Sequence, residues 1–266
     1  MLSANDVAVA AARLDDAERT RKQTGLISLS HPSATMDDAY AIQAAWAKIK
    51  LAKGRKVVGW KIGLTSKAMQ SALNISTPDS GVLFDDMVFA DGAQIPLTRF
   101  IQPRVEAEIA FVMKAPLKGP NVTAREVLAA TSYVVPALEI LDTRILRVDP
   151  ATKTARTIVD TISDNAANAG LVLGEQKWKV SDVDLRWVGA IVSCNGEVEE
   201  TGLGAGVLND PALGIAWLAN RLARYGEAIS AGQVVLSGSF IRPIETSLGA
   251  LIEADFGPFG AVSCRF

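Results

Sequence analysis

The sequence predicts an α+β protein in which a small helical N-terminal region precedes a β-rich main body. Two observations support this class. The first 55 residues carry apolar side chains at helical spacing, whereas from Lys56 onward most apolar segments are short and β-like. Strands and helices do not alternate regularly along the main body, which argues against a parallel α/β fold. We therefore divide the chain into an N-terminal helical region, residues 1–55, and a main body, residues 56–266, which together form one functional unit.

Two helices are predicted in the N-terminal region. Residues 4–23 place their apolar side chains on one helical face. The second helix begins after Thr35, because Thr35 followed three residues later by Asp38 matches a capping box. It ends at Gly54, which suits a helix C-terminus.

Eight strands are predicted in the main body. They cover residues 56–63, 105–113, 133–141, 169–173, 186–194, 232–239, 249–255 and 260–265. Pro136 favours an edge position or a bulge for the third of them. Residues 77–81 have the composition of a turn, and the charged residues 142–156 are predicted to form a surface loop. Helix starts are predicted at Thr123 and at Asp210.

Charge and composition exclude several classes of protein. The net charge is −2 and the pI is about 5.6, so we expect no nucleic-acid partner and no anionic membrane surface. No apolar run is long enough to span a membrane, and the N-terminus lacks the apolar core of a signal peptide. We expect a cytoplasmic protein with reduced Cys194 and Cys264, and a disulfide between the two stays open as an alternative.

Glu106 and Glu108 project from the same face of the predicted strand 105–113. Roughly 6.5–7 Å apart, two such charges repel by about 2.4 kcal/mol at an effective dielectric constant near 20. A solvated face, a shared proton or a bound cation would tolerate the pair, and the alternation alone favours the solvated face. Arg104 is a competing structural partner for these carboxylates.

Glu139 makes the solvated face a less favoured explanation, because it lies in an otherwise apolar strand. A buried carboxylate is costly unless it is paired or bound to a metal. The chain has a single histidine, His31, so a metal site would use oxygen ligands. Three carboxylates on two strands would suit Mg²⁺, Mn²⁺ or Ca²⁺.

Other polar residues have both a structural and a functional interpretation. Lys61, in an apolar strand, either reaches solvent or faces a site. Thr65 and Ser66 either cap a helix or bind a substrate carboxylate at the helix start. Asp79 is either a turn former or a general base. Arg242 is either a surface residue or a fork that binds a carboxylate.

Several segments give the chain a resemblance to a known family. They are residues 59–67, 104–108, 136–139, 160–170, 238–240 and 263–266. They resemble the 2-oxo-hept-3-ene-1,7-dioate hydratase family of the homoprotocatechuate meta-cleavage pathway, in the fumarylacetoacetate hydrolase superfamily. The resemblance runs essentially from end to end. The 2-hydroxypenta-2,4-dienoate hydratases and the 4-oxalocrotonate decarboxylases are close relatives of that family.

This resemblance implies a fold, a cofactor and a reaction. The fold would be a mixed β-sandwich or roll, in a homo-oligomer assembled from dimers. Glu106, Glu108 and Glu139 would hold Mg²⁺ or Mn²⁺. The reaction would be hydration of a 2-hydroxy-2,4-dienoate type of diacid to 4-hydroxy-2-oxoheptanedioate.

For that reaction we assign roles to further residues. Lys61 and Asp79 would handle protons, and Asp164 or Asn165 would orient water or the metal shell. The candidates for binding the carboxylates of the substrate are Thr65, Ser66, Ser239 and Arg242.

Other functions compete with this hydratase. A decarboxylase of 4-oxalocrotonate type or a 2-hydroxypenta-2,4-dienoate hydratase would use the same metal and the same dienolate. A C–C hydrolase of acylpyruvates would need a histidine base, which is hard to place here. A non-catalytic interaction protein would bind no metal.

Overall fold

The computed structural model describes residues 1–72, 75 and 77–266, within which there are seven α-helices and thirteen β-strands. The helices are α1 (Ala4–Thr20), α2 (Ile27–Ser30), α3 (Met36–Ala52), α4 (Lys67–Ala72), α5 (Ala124–Ala130), α6 (Ile158–Ser163) and α7 (Pro211–Ala223). The strands are β1 (Val57–Gly63), β2 (Asp79–Phe84), β3 (Val88–Phe89), β4 (Ala93–Gln94), β5 (Arg104–Met113), β6 (Thr131–Leu141), β7 (Asn168–Leu173), β8 (Gly189–Cys194), β9 (Glu197–Leu203), β10 (Val234–Leu236), β11 (Ile244–Glu245), β12 (Leu251–Asp255) and β13 (Ala261–Arg265).

Two mixed sheets form the main body. The larger sheet has the order β2-β1-β10-β5-β6-β7-β3, with β11 also paired to β5. The pairs β1–β10 and β3–β7 are parallel, and the other pairs of this sheet are antiparallel. The smaller sheet has the order β4-β13-β12-β8-β9. This arrangement confirms the predicted α+β class with a mixed sheet.

The second N-terminal helix begins where the capping pattern places it. Thr35 and Asp38 form a complete capping box at the start of α3, and the same carboxylate also accepts a hydrogen bond from the backbone N–H of Leu2 at 2.7 Å. Gln43 of α3 donates hydrogen bonds to the carbonyls of Ser80 and Ile162 in the main body, at 2.8 and 2.9 Å. Helix α3 is therefore fixed to the strand β2 that leads into the site. The division at residue 55 stays a prediction.

Pro136 lies inside the larger sheet, so the prediction of an edge position is wrong. Strand β6 pairs with β5 on one side and with β7 on the other. The Pro136 carbonyl accepts a hydrogen bond from Gly174 N–H at 2.8 Å, just beyond the end of β7. The nitrogen and the carbonyl of an extended residue face the same neighbouring strand. The N–H that Pro136 lacks would therefore point toward the end of β7, where the hydrogen bonds between β6 and β7 stop.

Two loop predictions are also corrected. Asp79 begins the fully buried strand β2 rather than sitting in a turn, because β2 pairs along its length with β1. Within the predicted surface loop 142–156, Asp142, Arg144 and Ile145 are buried. The side chain of Arg144 is buried because it has an ionic partner, Asp164, in the main body.

The two cysteines are both free. They lie on β8 and β13, and each pairs in register with Ile252 of β12, which runs between them. Two strand spacings separate them by about 9.5 Å. This exceeds the span of a disulfide, so the alternative of a Cys194–Cys264 bridge is excluded.

Within the described part of the chain, none of the helices has the length and apolar character needed to cross a membrane.

Candidate metal centre

Three carboxylates form a compact acidic cluster on β5 and β6. Glu106 and Glu139 are directly opposite in the antiparallel register, and Glu108 follows two residues along the same face of β5. One ligand oxygen from each residue lies within 4.8 Å of the other two. Glu108 and Glu139 are fully buried, and Glu106 is partly buried. The strand alternation and the β5–β6 register together produce this carboxylate cluster.

Some oxygens of the carboxylate cluster have protein partners and others do not. Glu139 Oε1 accepts a hydrogen bond from Asn168 Nδ2 at 2.7 Å, and Glu108 Oε2 accepts one from the backbone N–H of Gly238 at 2.7 Å. Glu108 Oε1 and Glu139 Oε2 are buried and find no hydrogen-bond partner among the described residues. Since a buried carboxylate oxygen normally has a partner, these two oxygens fit a hard divalent cation.

The pKa values of the cluster also fit a bound divalent cation. Burial, reinforced by the charge of Glu139, raises the pKa of Glu106 to about 8. Burial and Glu139 also raise the pKa of Glu108 well above its usual range. Carboxyl groups that resist ionisation in this way are those that a divalent cation would hold in the charged form.

Lys61 and Asp79 lie beside the carboxylate cluster on the paired strands β1 and β2. Lys61 Nζ is 3.3 Å from Glu139 Oε1 and donates a hydrogen bond to the carbonyl of Ala166 at 3.0 Å. Burial lowers the pKa of Lys61, but the negative charges led by Glu139 and Asp79 outweigh burial and raise it overall. Burial raises the pKa of Asp79, against the charge of Lys61. Neither carboxylate oxygen of Asp79 has a hydrogen-bond partner in the described part of the chain.

Gly63 leaves the space in which these two side chains meet. It pairs in register with Asp79. A Cβ atom on Gly63 would lie 2.2 Å from Asp79 Oδ1 and 3.0 Å from Lys61 Nζ. The first distance is shorter than any real Cβ contact, so a larger residue at position 63 would displace the Asp79 carboxylate.

A strained turn packs against β2 beside the site. Asn165, Ala166 and Ala167 have φ values of 52°, 50° and 60°, so three consecutive non-glycine residues are left-handed. Each such residue costs about 1–2 kcal/mol. Strain of this kind persists only where the surroundings enforce it, and it is common at functional sites. Here the turn presents the Ala166 carbonyl to Lys61.

Arg144 holds both ends of this turn. Its guanidinium forms an ion pair with the Asp164 carboxylate and donates hydrogen bonds to the carbonyls of Asp164 and Asn168, at 2.8 and 2.9 Å. The Asn165 side chain exchanges two hydrogen bonds with the backbone of Val82, at 2.7 and 2.9 Å. Asp164 and Asn165 therefore support the turn, and their side chains are engaged there rather than at the carboxylate cluster.

The predicted substrate-binding residues have different surroundings. Thr65 is buried against Gly238, where a Cβ atom would lie 2.3 Å from Thr65 Oγ1, so it lies close to the N–H group that binds Glu108. Ser66 precedes α4, and its carbonyl accepts a hydrogen bond from Gln70 N–H at 2.9 Å. The hydroxyl of Ser239 hydrogen-bonds with both backbone groups of Ile241, at 2.9 and 3.1 Å.

Arg242 is exposed rather than directed into the site. Its guanidinium is 3.3 Å from Glu199 Oε2 and 2.9 Å from Glu200 Oε2. Both acidic residues belong to β9, most of whose side chains are exposed. The structure therefore does not bring Arg242 together with the carboxylate cluster, because two surface carboxylates already bind it.

Sequence reasoning missed several groups at the site. Asn168 binds Glu139, and its Oδ1 is buried without a hydrogen-bond partner among the residues described. The N–H of Gly238 binds Glu108, and Gly63 provides space for Asp79. Asn168 and Gly238 both lie in the segments that carry the family resemblance, which was the available signal.

Two known hydratases are similar to the chain along nearly its whole length. No protein-family model matches the chain. The chain is 54% identical over 256 residues to 2-oxo-hept-4-ene-1,7-dioate hydratase of Escherichia coli, covering 96% of each sequence. It is 40% identical over 256 residues to 2-hydroxyhexa-2,4-dienoate hydratase of Comamonas testosteroni, covering 96% of this chain and 95% of that one.

Solved structures show the same fold. The 4-oxalocrotonate decarboxylase of Pseudomonas putida G7, complexed with magnesium and adipate, matches with a TM-score of 0.94 at 34% identity, over 100% of this chain and 99% of that one. Fumarylpyruvate hydrolase of Pseudomonas aeruginosa, complexed with Mn²⁺ and pyruvate, matches with a TM-score of 0.58 at 14% identity, over 77% of this chain and 87% of that one. At that identity the likeness shows the fold alone.

The fold and the three-carboxylate site define an enzyme with the fumarylacetoacetate hydrolase fold. The chain belongs to the family of the dienoate hydratases and 4-oxalocrotonate decarboxylases. The family, the fold class and the hydro-lyase class predicted from the sequence are thereby confirmed. The predicted divalent cofactor agrees with the magnesium in the related decarboxylase structure and with the acidic cluster in this chain.

Proposed function

We propose that this enzyme hydrates a seven-carbon dienoate diacid to 4-hydroxy-2-oxoheptanedioate in the catabolism of aromatic compounds. The observation that carries the proposal is the carboxylate cluster of Glu106, Glu108 and Glu139 beside Lys61 and Asp79. The identity of 54% to a hydratase of a 1,7-dioate supports this choice of substrate.

The two substrate names place the double bond at different positions. The family resemblance suggests a 3-ene, whereas the Escherichia coli relative is named for a 4-ene. Protonation of one 2-hydroxy-2,4-dienoate at C5 gives the 2-oxo-3-ene, and protonation at C3 gives the 2-oxo-4-ene. The two names therefore describe ketone forms of a single dienol, and only the 3-ene is conjugated so that C4 accepts water.

Glu106, Glu108 and Glu139 are the residues that would hold the divalent cation. A bound Mg²⁺ or Mn²⁺ would supply Lewis-acid polarisation of the 2-oxo group and charge compensation for the 1-carboxylate. Asn168 and the N–H of Gly238 each bind one carboxylate oxygen and so fix the orientation of Glu139 and Glu108.

Lys61 and Asp79 are the groups that would handle protons. The carboxylates around Lys61 keep a proton on Nζ, which the Ala166 carbonyl orients. The carboxylate of Asp79, whose oxygens have no hydrogen-bond partner among the described residues, would take a proton from the 2-hydroxyl group or from the attacking water. Asp164 and Asn165 act on this step indirectly, because they hold the turn that carries Ala166. Thr65 and Ser66 remain the proposed partners of the 1-carboxylate.

Product analysis separates the hydratase from its nearest competitor. Purified enzyme with Mg²⁺ is incubated separately with the seven-carbon 2-hydroxydienedioate and with 4-oxalocrotonate, and the products are followed by mass spectrometry and by CO₂ release. We expect a product heavier by one water and no CO₂. Release of CO₂ from 4-oxalocrotonate, at a higher kcat/KM than hydration of the seven-carbon substrate, would instead assign the chain to the decarboxylases. This alternative is the one to test because a decarboxylase structure has the same fold. Turnover that persists in excess chelator would refute the metal dependence.

The assembly and the location of the enzyme are also proposals. A homo-oligomer built from dimers is supported by large apolar side chains that are exposed around β8 and β9, namely Trp187, Ile191, Val198 and Leu203. Light scattering coupled to size exclusion tests this, and a monomer at micromolar concentration would refute it. A cytoplasmic location is supported by two free cysteines and is tested by cell fractionation.

A further inference from the structure

Three arginines lie together at one end of the row of carboxylates. Arg104 is the first residue of β5, and the strand alternation places it on the same face as Glu106. Arg147 and Arg156 flank the antiparallel bridge between Val148 and Ala155, and Arg156 N–H donates to the Arg147 carbonyl at 2.9 Å. Directly opposed residues of such a pair extend to the same side, so the two guanidinium groups are neighbours.

These arginines have more buried donors than acceptors. Arg104 Nε, Arg147 Nε and Nη2, and Arg156 Nη1 are buried without a hydrogen-bond partner in the part of the chain that the structure describes. Arg147 Nη1 donates to Glu245 Oε1 at 3.0 Å, but Glu245 is largely exposed. Glu245 pairs in register with Arg104 on the neighbouring strand β11, so Arg104 and Arg147 lie on either side of the same residue. Among the described residues, the arginine cluster of residues 104, 147 and 156 therefore has more buried donors than the exposed carboxylate of Glu245 satisfies.

The arginine cluster adjoins the reacting groups. Arg104 and Glu106 are two residues apart on one face of β5, about 6.5–7 Å along the strand. Arg156 influences the pKa of Asp79, and Asp79 in turn influences that of Arg156. An extended seven-carbon diacid measures about 7–8 Å between its carboxyl carbons when bonds are about 1.5 Å. A substrate with its first carboxylate at the carboxylate cluster would reach the arginine cluster with its second.

We infer that Arg104, Arg147 and Arg156 bind the 7-carboxylate of the substrate and select diacids over monoacids. The inference rests on the proposed function, since it assigns a subsite to the second carboxylate of that substrate. A planar guanidinium presents two N–H groups that match the two oxygens of a carboxylate, which a lysine cannot do. This position differs from that of Arg242, the arginine favoured by the sequence, whose partners are Glu199 and Glu200.

Substrate pairs test the subsite. Wild type, Arg104→Gln and Arg156→Gln are assayed with the seven-carbon 2-hydroxydienedioate and with the monoacid 2-hydroxyhexa-2,4-dienoate. We expect each substitution to lower kcat/KM for the diacid by about 10- to 100-fold, mainly through KM, because a charge-assisted hydrogen bond is lost. Turnover of the monoacid should change by less than about 3-fold. Arg104→Lys should recover only part of the preference for the diacid. Arg186→Gln is the matched control, because Arg186 is an exposed arginine paired with Asp184.

A binding measurement separates this inference from the proposed function. Calorimetric titration of heptanedioate and of heptanoate into the Mg²⁺-loaded proteins requires no turnover. We expect wild type to bind the diacid at least about 10-fold more tightly, and the two Arg→Gln variants to bind both acids alike. If wild type hydrates neither dienoate, the proposed function fails while the titration still decides the subsite. Equal loss on the diacid and the monoacid, or an unchanged preference for heptanedioate in both variants, would overturn the inference. Circular dichroism establishes that each variant is folded.

Discussion

Replacing Glu106 with Gln should stabilise the metal-free enzyme while removing its response to metal. The ligand oxygens of the carboxylate cluster lie within 4.8 Å of one another, so each ionised pair repels by about 3.5 kcal/mol or more at an effective dielectric constant near 20. Glu106 takes part in two of the three pairs. Protonation already relieves part of this repulsion without metal, because the pKa of Glu106 is raised to about 8. We therefore expect the free energy of unfolding to rise by about 1–3 kcal/mol, well below the full Coulomb value.

Thermal unfolding with and without Mg²⁺ measures both effects. At roughly 2 °C per kcal/mol for a chain of this size, the Tm of metal-free Glu106→Gln should rise by about 2–6 °C. Wild type in Mg²⁺ at 100 times its Kd should gain about 2.7 kcal/mol, or about 5 °C, and the variant should gain almost nothing. Glu253→Gln, a substitution at an exposed position on β12, is the control and should behave as wild type.

Two results would refute this reasoning. A lower Tm for metal-free Glu106→Gln would mean that the Glu106 carboxylate stabilises the fold, as an ordinary ion pair does. An undiminished Mg²⁺-induced shift in the variant would mean that the cation binds elsewhere. Retention of the shift with loss of activity would leave Glu106 a role in the reaction but not in holding the metal.

Three further predictions concern the groups around the site and the helix caps. Gly63→Ala should lower kcat about 100-fold with an unchanged circular dichroism spectrum, because the new Cβ displaces the Asp79 carboxylate; wild-type kcat would contradict this. Arg144→Met should lower the free energy of unfolding in urea by about 3–5 kcal/mol, because it removes the ion-pair partner of the buried Asp164, and a loss below about 1 kcal/mol would be inconsistent with it. Hydrogen bonds from backbone N–H groups, first that of Thr35, lower the pKa of Asp38 to about 2, below the unfolded value of 3.8. The stabilisation by the Asp38 carboxylate is thus present above about pH 4 and lost as the pH falls toward 2. Asp38→Ala should lower the free energy of unfolding by about 1 kcal/mol at pH 7, and in urea titrations this loss should shrink between pH 4 and pH 2. A loss that stays constant over that range would argue against the assignment.

The carboxylate cluster could be predicted because it depends on local rules. The two-residue period of a strand places Glu106 and Glu108 on one face whatever the fold. Glu139 was identified because a lone carboxylate in an apolar strand needs a partner. The register that sets Glu139 opposite Glu106 depends on how β5 and β6 pair in the folded protein. Few antiparallel registers bury the apolar faces of both strands, so the choice is narrow.

The remaining parts of the site depend on contacts that no local pattern encodes. Asp79 has turn chemistry in its sequence, and only pairing with Gly63 makes it a buried strand residue. Arg144 lies in a charged stretch, and its burial follows from Asp164, twenty residues later. Ala166 in a left-handed conformation contradicts its intrinsic preference, so nothing in the sequence predicts that its carbonyl faces Lys61.

The position of β10 in the larger sheet has a consequence for how the chain folds during synthesis. This strand lies between β1 and β5, although it is made after both of them and after β6 and β7. Until Val234–Leu236 leaves the ribosome, the facing edges of β1 and β5 have no neighbour, and Gly238 cannot reach Glu108. Nascent chains that end before β10 therefore expose two open strand edges, which are the sites where aggregation begins. The enzyme should depend on chaperones most strongly during this interval, when nearly nine-tenths of the chain is already synthesised.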